Sequence, residues 1–142
     1  MPAIMNHKIG RLLAIRLGPG EDLLRGILES CQKYGFQNAA LLSGIGSLKE
    51  VRIFNECLMS TTGEEIVYGY DQEPRAWGGR QGVMELCSVK GTVYTSPNGK
   101  STHDLHVAFS NSAGTVLGGR LAEGSLVNLS LIHISEPTRR SY

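Results

Sequence analysis

Alternation of polar and apolar residues predicts several β-strands along the chain. Residues 104–110 (DLHVAFS) alternate between the two classes, and residues 84–93 (MELCSVKGTV) do the same over a longer stretch. Residues 7–17 are rich in branched apolar side chains and end at a Gly-Pro-Gly turn, which also predicts a strand. The sequence PNGK at residues 97–100 is typical of a hairpin turn.

One segment carries the pattern of an amphipathic helix. Glu21 and Asp22 precede it, where their negative charges suit the positive end of the helix dipole. Its apolar positions recur at helical spacing and form one stripe: Leu23, Leu24, Ile27, Leu28, Cys31 and Tyr34. Gly35 is placed to end the helix in a left-handed conformation. The stripe predicts that this helix packs on a sheet as part of the core.

The other segments predict short strands and turns. Residues 39–42 favour a short buried strand, and the glycines of residues 43–47 (SGIGS) favour a tight turn of positive φ, which leads into a strand over residues 48–54. Further strands are expected around residues 65–70, 82–95 and 115–117, with a turn at 111–114 and a loop at 71–80 that contains Trp77. These elements predict an α+β fold, a mostly antiparallel sheet with one main helix packed on it.

Length and composition fit a single domain. With 142 residues the chain is long enough for a hydrophobic core without disulfide bonds. It has no apolar run of about 18 residues and no secretory pattern near its start, so we expect no membrane partner. Cys31, Cys57 and Cys87 are widely spaced and odd in number, which favours reduced thiols in a cytoplasmic protein. The formal charge of +1 gives little attraction for DNA phosphates.

The C-terminal segment stands apart from the rest of the chain. Residues 129–139 (LSLIHISEPTR) resemble one translated reading frame of a common transposase-based sequencing adapter. We therefore interpret residues 1–128 as one domain truncated at its last strand, and residues 129–142 as read-through that is not native. On this interpretation residues 129–134 replace the native last strand imperfectly, His133 is no ligand candidate, and the remaining portion is formally neutral.

Candidate chemistry concentrates in two neighbouring stretches, residues 102–109 (THDLHVAF) and residues 118–124 (GGRLAEG). Side chains two apart share a face of a strand. Asp104 and His106 are therefore expected on one face and His103 on the other, unless the strand begins after His103 or bulges there.

The returning strand brings further polar groups toward this pair. A turn after the first stretch is expected to carry Arg120 back toward Asp104 and His106, and glycines beside Arg120 permit close approach of a ligand. The predicted ligand-binding residues are His106, Asp104, Arg120, Gly118 and Gly119.

Three interpretations of this cluster stay open. It is a hydrogen-bonded ion network at a subunit interface, or a site where Arg120 binds a carboxylate or phosphate with help from His106. The third interpretation is a metal site with zinc as the candidate ion and His106, Asp104 and His103 as ligands. Glu85 is expected to be a structural partner on its strand.

The chain lacks the common catalytic motifs. It contains no G-x-S-x-G elbow, no P-loop and no H-E-x-x-H sequence. A His–Asp pair resembles a general base, but no nucleophile or electrophile completes it. We therefore expect a protein that is not an enzyme.

Four segments, in order, resemble the PPC (plants and prokaryotes conserved) domain family. The first two are RLGPGEDL at residues 16–23 and LSGIGSL at residues 42–48. The third is residues 84–91, which begin with MEL and end with a glycine, and the fourth is residues 105–121, which begin with LHV and end with GGRL. The resemblance spans about residues 9–127. It implies a compact α/β fold with a large antiparallel sheet, assembled as a homotrimer.

The resemblance also implies two functions. Some prokaryotic members look like metal binders through an H-x-H pair and a histidine in G-G-H, positions that correspond here to Asp104, His106 and Arg120. Arginine has no lone pair to donate and repels a cation. The family is often labelled DNA-binding, yet the R-G-R-P core found beside the domain in plant members is absent. We expect a trimeric module that binds a small anionic ligand or a metal ion, with DNA-binding regulation as the alternative.

Overall fold

An antiparallel sheet with one helix packed on it makes up the computed structural model, which describes residues 2–55, 64–69, 84–111 and 114–137. The elements follow in the order β1 (Ile9–Leu17), α1 (Leu23–Lys33), β2 (Asn38–Asn55), β3 (Glu64–Gly69), β4 (Met84–Thr95), β5 (Ser101–Ser110), β6 (Val116–Leu121) and β7 (Leu126–Pro137). The predicted helix, the long strand before the PNGK turn and the strand after it are therefore confirmed.

The described strands form a seven-stranded sheet in the order β1-β7-β2-β4-β5-β6, with β3 paired to β2 beside this path. Every pairing is antiparallel, as the sequence predicts. A short additional pairing joins β2 to β6. This pairing closes β2, β4, β5 and β6 into a ring of hydrogen-bonded neighbours.

The sheet has one buried face and one exposed face, which we call the inner and outer faces. On β5, Leu105, Val107 and Phe109 point inward and are buried, whereas Asp104 and His106 point outward and are exposed. The apolar stripe of α1 packs against the inner face. The largest fully buried side chains include Phe109, Leu23, Ile27, Leu48, Ile53, Leu105 and Leu121.

The helix begins and ends close to the predicted residues. The carboxylate of Asp22 caps its first turn by accepting a hydrogen bond from the backbone N–H of Arg25 at 3.0 Å. Gly35 follows the last turn with φ +69°. The prediction is wrong for Tyr34, which is 50% exposed because it lies at the C-cap, where the chain leaves the helical path.

The tight turn predicted at residues 43–47 does not form, because Asn38–Asn55 is one continuous strand. Gly46 does have a positive φ of +144°, but it lies inside the strand. A Cβ there would overlap the carbonyl oxygen of Leu129 and lie 2.7 Å from the Cα of Ser130. The glycine is therefore explained by the close approach of β7, at an irregularity in the pairing, and not by a reversal of the chain.

Strand β7 lies in the middle of the sheet, between β1 and β2. Residues 129–137, within the segment that resembles adapter sequence, form most of it. Ile132 and Ile134 from this segment are fully buried in the core. Their alternation with more exposed residues is what a strand with one buried face requires.

Two of the three cysteines lie within the described residues. Cys31 and Cys87 carry free thiols, and burial raises the pKa of Cys31 to about 11. Cys57 and the predicted loop with Trp77 lie outside the described residues. Within the part of the chain that the structure describes, no helix is both long and apolar enough to cross a membrane.

Candidate functional site

Asp104 and His106 contact each other on the outer face of β5, as their spacing predicts. Nε2 of the imidazole lies 3.0 Å from Oδ1 of the carboxylate. The side chain of His106 is 59% exposed and that of Asp104 is 70% exposed. Both groups are therefore open to solvent and to a ligand that approaches the outer face.

Arg120 lies beside this pair on the neighbouring strand. It is the direct cross-strand partner of His106, so the two side chains leave the sheet on the same side. Its Nη2 donates a hydrogen bond of 2.7 Å to the backbone carbonyl of His103. The structure thus brings together Asp104, His106 and Arg120.

The two predicted glycines divide between the faces of β6. Gly118 pairs with Ala108 and lies on the same face as Arg120, whereas Gly119 pairs with the inward-facing Val107. A Cβ on Gly118 would lie 2.7 Å from the carbonyl oxygen of Val107, so β5 and β6 approach closely here. Gly118 therefore shares the outer face with Arg120, and the close approach of β5 explains why this position is a glycine.

His103 lies on the opposite face from Asp104 and His106. The β4–β5 pairing is regular at His103, so no bulge turns its side chain toward them. Its Nδ1 is buried and makes no hydrogen bond within the described structure. Burial lowers the pKa of His103 below its usual 6.5, and the charge of Arg120 lowers it further, so the imidazole is neutral at pH 7.

The three proposed zinc ligands are therefore not gathered at one point. His106 and Asp104 are adjacent, but His103 faces inward. Among residues 2–55, 64–69, 84–111 and 114–137, no group of three or more histidine, cysteine, aspartate and glutamate side chains lies close enough to hold a metal ion.

Lys90 completes the cluster and was missed by the sequence analysis. It pairs with His106 from the β4 side, so Lys90, His106 and Arg120 form a row across three adjacent strands. Its Nζ donates a hydrogen bond of 2.7 Å to the carbonyl of Leu42. Counting outward from the hairpin turn at residues 97–100 pairs Lys90 with His106. The register of this hairpin could therefore have predicted Lys90 from the sequence.

The row has more positive than negative groups. Lys90 and Arg120 are cations at neutral pH, and the carboxylate of Asp104 is the acidic group in contact with His106. An exposed cluster of this kind attracts anions, and a guanidinium offers paired donors for a carboxylate or a phosphate. The geometry therefore favours an anion over a cation at this surface.

Two larger cavities lie elsewhere. One of about 420 Å³ opens on the outer face and is lined by Arg16, Ile45, Gly46, Leu129, Ser130 and Leu131. The other, of about 520 Å³, runs along α1 beside Asp22, Arg25 and Glu29. Neither is lined by Asp104, His106 or Arg120.

Comparison with known proteins places this chain among sheet proteins of one family. Residues 5–136 match the family model of the Plants and Prokaryotes Conserved (PCC) domain. A search of curated proteins finds no match.

Solved structures with the same fold come from archaea and bacteria. A plant- and prokaryote-conserved protein from Pyrococcus horikoshii is 28% identical, with a TM-score of 0.76 over 99% of this chain and 87% of that one. A metal-containing protein from Archaeoglobus fulgidus is 20% identical, with a TM-score of 0.74 over 99% and 89%. A protein from Bacteroides thetaiotaomicron, provisionally described as DNA-binding, is 16% identical, with a TM-score of 0.72 over 94% and 82%.

Proposed function

Because the chain belongs to the Plants and Prokaryotes Conserved domain family, we propose that it is a homotrimeric binding module for a small anionic ligand. The ligand binds on the outer face of β4, β5 and β6. The observation that carries this proposal is the row of Lys90, His106 and Arg120 at directly paired positions of three adjacent strands.

The chemistry of the row suits a carboxylate or a phosphate. Arg120 supplies a fixed fork of N–H donors, and the ammonium group of Lys90 has two further N–H donors beside the one that it gives to the carbonyl of Leu42. The carboxylate of Asp104 holds the imidazole of His106 in one orientation through their 3.0 Å contact. Gly118 keeps β6 close to β5 next to Arg120, because a side chain there would meet the backbone carbonyl of Val107.

The proposal of a homotrimer has support from the outer face of the sheet. Ile45 and Leu131 are paired there, and both are exposed, at 58% and 41% respectively. Leu129 is 49% exposed and borders the same apolar cavity. Because Leu129 and Leu131 belong to the segment that resembles adapter sequence, the support for the trimer comes from Ile45. Exposed apolar clusters of this type mark surfaces that pack against other protein.

The anion site is tested by titrating inorganic phosphate and succinate into the protein by calorimetry. We expect binding by the unaltered chain and a loss of at least about tenfold in affinity in Arg120→Gln, because hydrogen bonds to charged groups contribute most of the attraction. Asp104→Asn should strengthen phosphate binding, since it removes the nearest negative charge. Arg25→Gln, which alters an exposed arginine of α1, is the matched control and should leave the affinity unchanged. Equal affinities in all variants would refute the anion site.

Zinc is the second candidate ligand, because Asp104 and His106 place two donor atoms 3.0 Å apart and the relative from Archaeoglobus fulgidus is described as metal-containing. The guanidinium of Arg120 opposes a cation at the same place. Metal analysis of the purified protein, with Asp104→Ala/His106→Ala as control, tests this candidate. We expect no difference between the two proteins; bound zinc that is lost in the double variant would favour the metal over the anion.

DNA binding ranks below both ligands. The relative from Bacteroides thetaiotaomicron is provisionally described as DNA-binding, which gives this function its support. A formal charge of +1 over 142 residues gives little counterion release on a duplex.

A further inference from the structure

An exposed aromatic side chain extends the row of Lys90, His106 and Arg120. The pairing that joins β6 to β2 sets Phe54 directly opposite Arg120. Phe54 is 38% exposed on the outer face. Lys90, His106, Arg120 and Phe54 therefore lie side by side on four adjacent strands.

The order of these four side chains determines which kind of ligand is complementary to the row. Adjacent strands lie about 4.8 Å apart, so the backbone of Phe54 is one strand spacing from that of Arg120 and about three from that of Lys90. Cationic groups occupy one end of the row and an apolar ring occupies the other. A complementary ligand has an anionic group at one end and a flat apolar group at the other.

The phenyl ring is not used by the nearest cation. Arg120 directs its Nη2 to the carbonyl of His103 at 2.7 Å. The cation–π contacts of the described residues join Arg11 to Phe36 and Lys33 to Tyr34, on the helix side of the molecule. Among the described residues the Phe54 ring makes no cation–π contact, and its exposed part is the surface that the proposal uses for stacking.

We propose that the ligand of this site is an anion that carries an aromatic ring, and that nucleoside monophosphates are its class. The phosphate binds to Lys90, His106 and Arg120, and the base stacks on Phe54. Stacking of a base on an aromatic side chain stabilises a complex whichever base is present, because every base has a π face. This inference rests on the proposed anion site and specifies what the anion is attached to.

Calorimetry with three probes tests the inference: AMP, ribose 5-phosphate and adenosine. The unaltered protein should bind AMP about tenfold more tightly than ribose 5-phosphate, the difference that stacking on one ring supplies. Phe54→Leu should remove this preference and leave the affinity for ribose 5-phosphate unchanged. Phe54→Tyr keeps a ring and should keep the preference.

Tyr94 offers a matched control, because it is 48% exposed and lies on β4 away from the row. Tyr94→Leu should leave both affinities unchanged. Equal binding of AMP and ribose 5-phosphate by the unaltered protein would overturn the aromatic ligand and leave the anion site standing. If adenosine binds as tightly as AMP, the phosphate contributes nothing to the affinity. That result would overturn a site in which Phe54 and the cationic side chains bind the same ligand. Failure of both phosphates to bind would end the proposed function itself.

Discussion

Gly91→Ala is expected to destabilise the protein by about 2–6 kcal/mol, from overpacking and backbone strain together. Gly91 lies in β4 with φ +132°, opposite Leu105 of β5. A Cβ there would overlap the carbonyl oxygen of Asp104 and lie 3.0 Å from the Cα of Leu105. These are backbone atoms of the neighbouring strand, so the added methyl group has to push β5 away from β4. Since β5 carries Asp104 and His106, phosphate affinity should fall as well.

Chemical denaturation with urea measures this effect, and Gly99→Ala is its matched control. Gly99 lies in the turn of the same hairpin with φ +86°, but a Cβ there would meet nothing within 4 Å. Its replacement should cost only the backbone penalty of about 1–2 kcal/mol. If both variants lose the same free energy of unfolding, contact with β5 contributes nothing to the effect of Gly91→Ala.

Removal of residues 129–142 is expected to abolish cooperative folding. Strand β1 forms all its described pairs with β7 through residues 130–137, and β2 pairs with the same strand on its other side. Ile132 and Ile134 are fully buried, and loss of a single buried isoleucine side chain typically costs about 2–5 kcal/mol. Two such losses amount to about 4–10 kcal/mol, which is comparable to the roughly 5–15 kcal/mol that stabilise a domain, and the pairs of a central strand are lost as well.

Circular dichroism during heating shows whether a shortened chain still unfolds cooperatively. A chain that ends at Asn128 should show no cooperative transition, whereas a chain that ends at Pro137 should keep one. The second chain is the control because it retains all of β7. A cooperative transition at the same temperature in both chains would show that residues 129–137 are dispensable for the sheet.

Local patterns in the sequence predict much of the fold. Alternation in residues 104–110 places Asp104 and His106 on one face and Leu105 on the other, and the structure confirms this. The acidic residues before the helix and Gly35 after it are confirmed as its boundaries. These features depend on side chains within a few positions of one another, so a single segment contains the information.

The errors concern contacts between distant segments. The glycines of residues 43–47 have the composition of a turn, and only the approach of β7 explains why Gly46 belongs to a continuous strand. Phe54 lies beside Arg120 because β2 and β6 close a ring, and no local pattern indicates that pairing. The faces of single strands can be predicted, whereas the neighbours of a site depend on which strands meet.

The pairing of β1 with β7 has a consequence for the rate at which this chain folds. Ile9 pairs with Pro137, and Leu17 pairs with Ser130, so the first and the last of the described strands are neighbours. Nearly the whole chain has to leave the ribosome before that neighbour exists, and contacts so far apart in sequence slow folding. Until then Ile15 and Leu17, which are buried in the folded protein, lack the strand that covers this edge, and transiently exposed apolar surface of this kind favours aggregation.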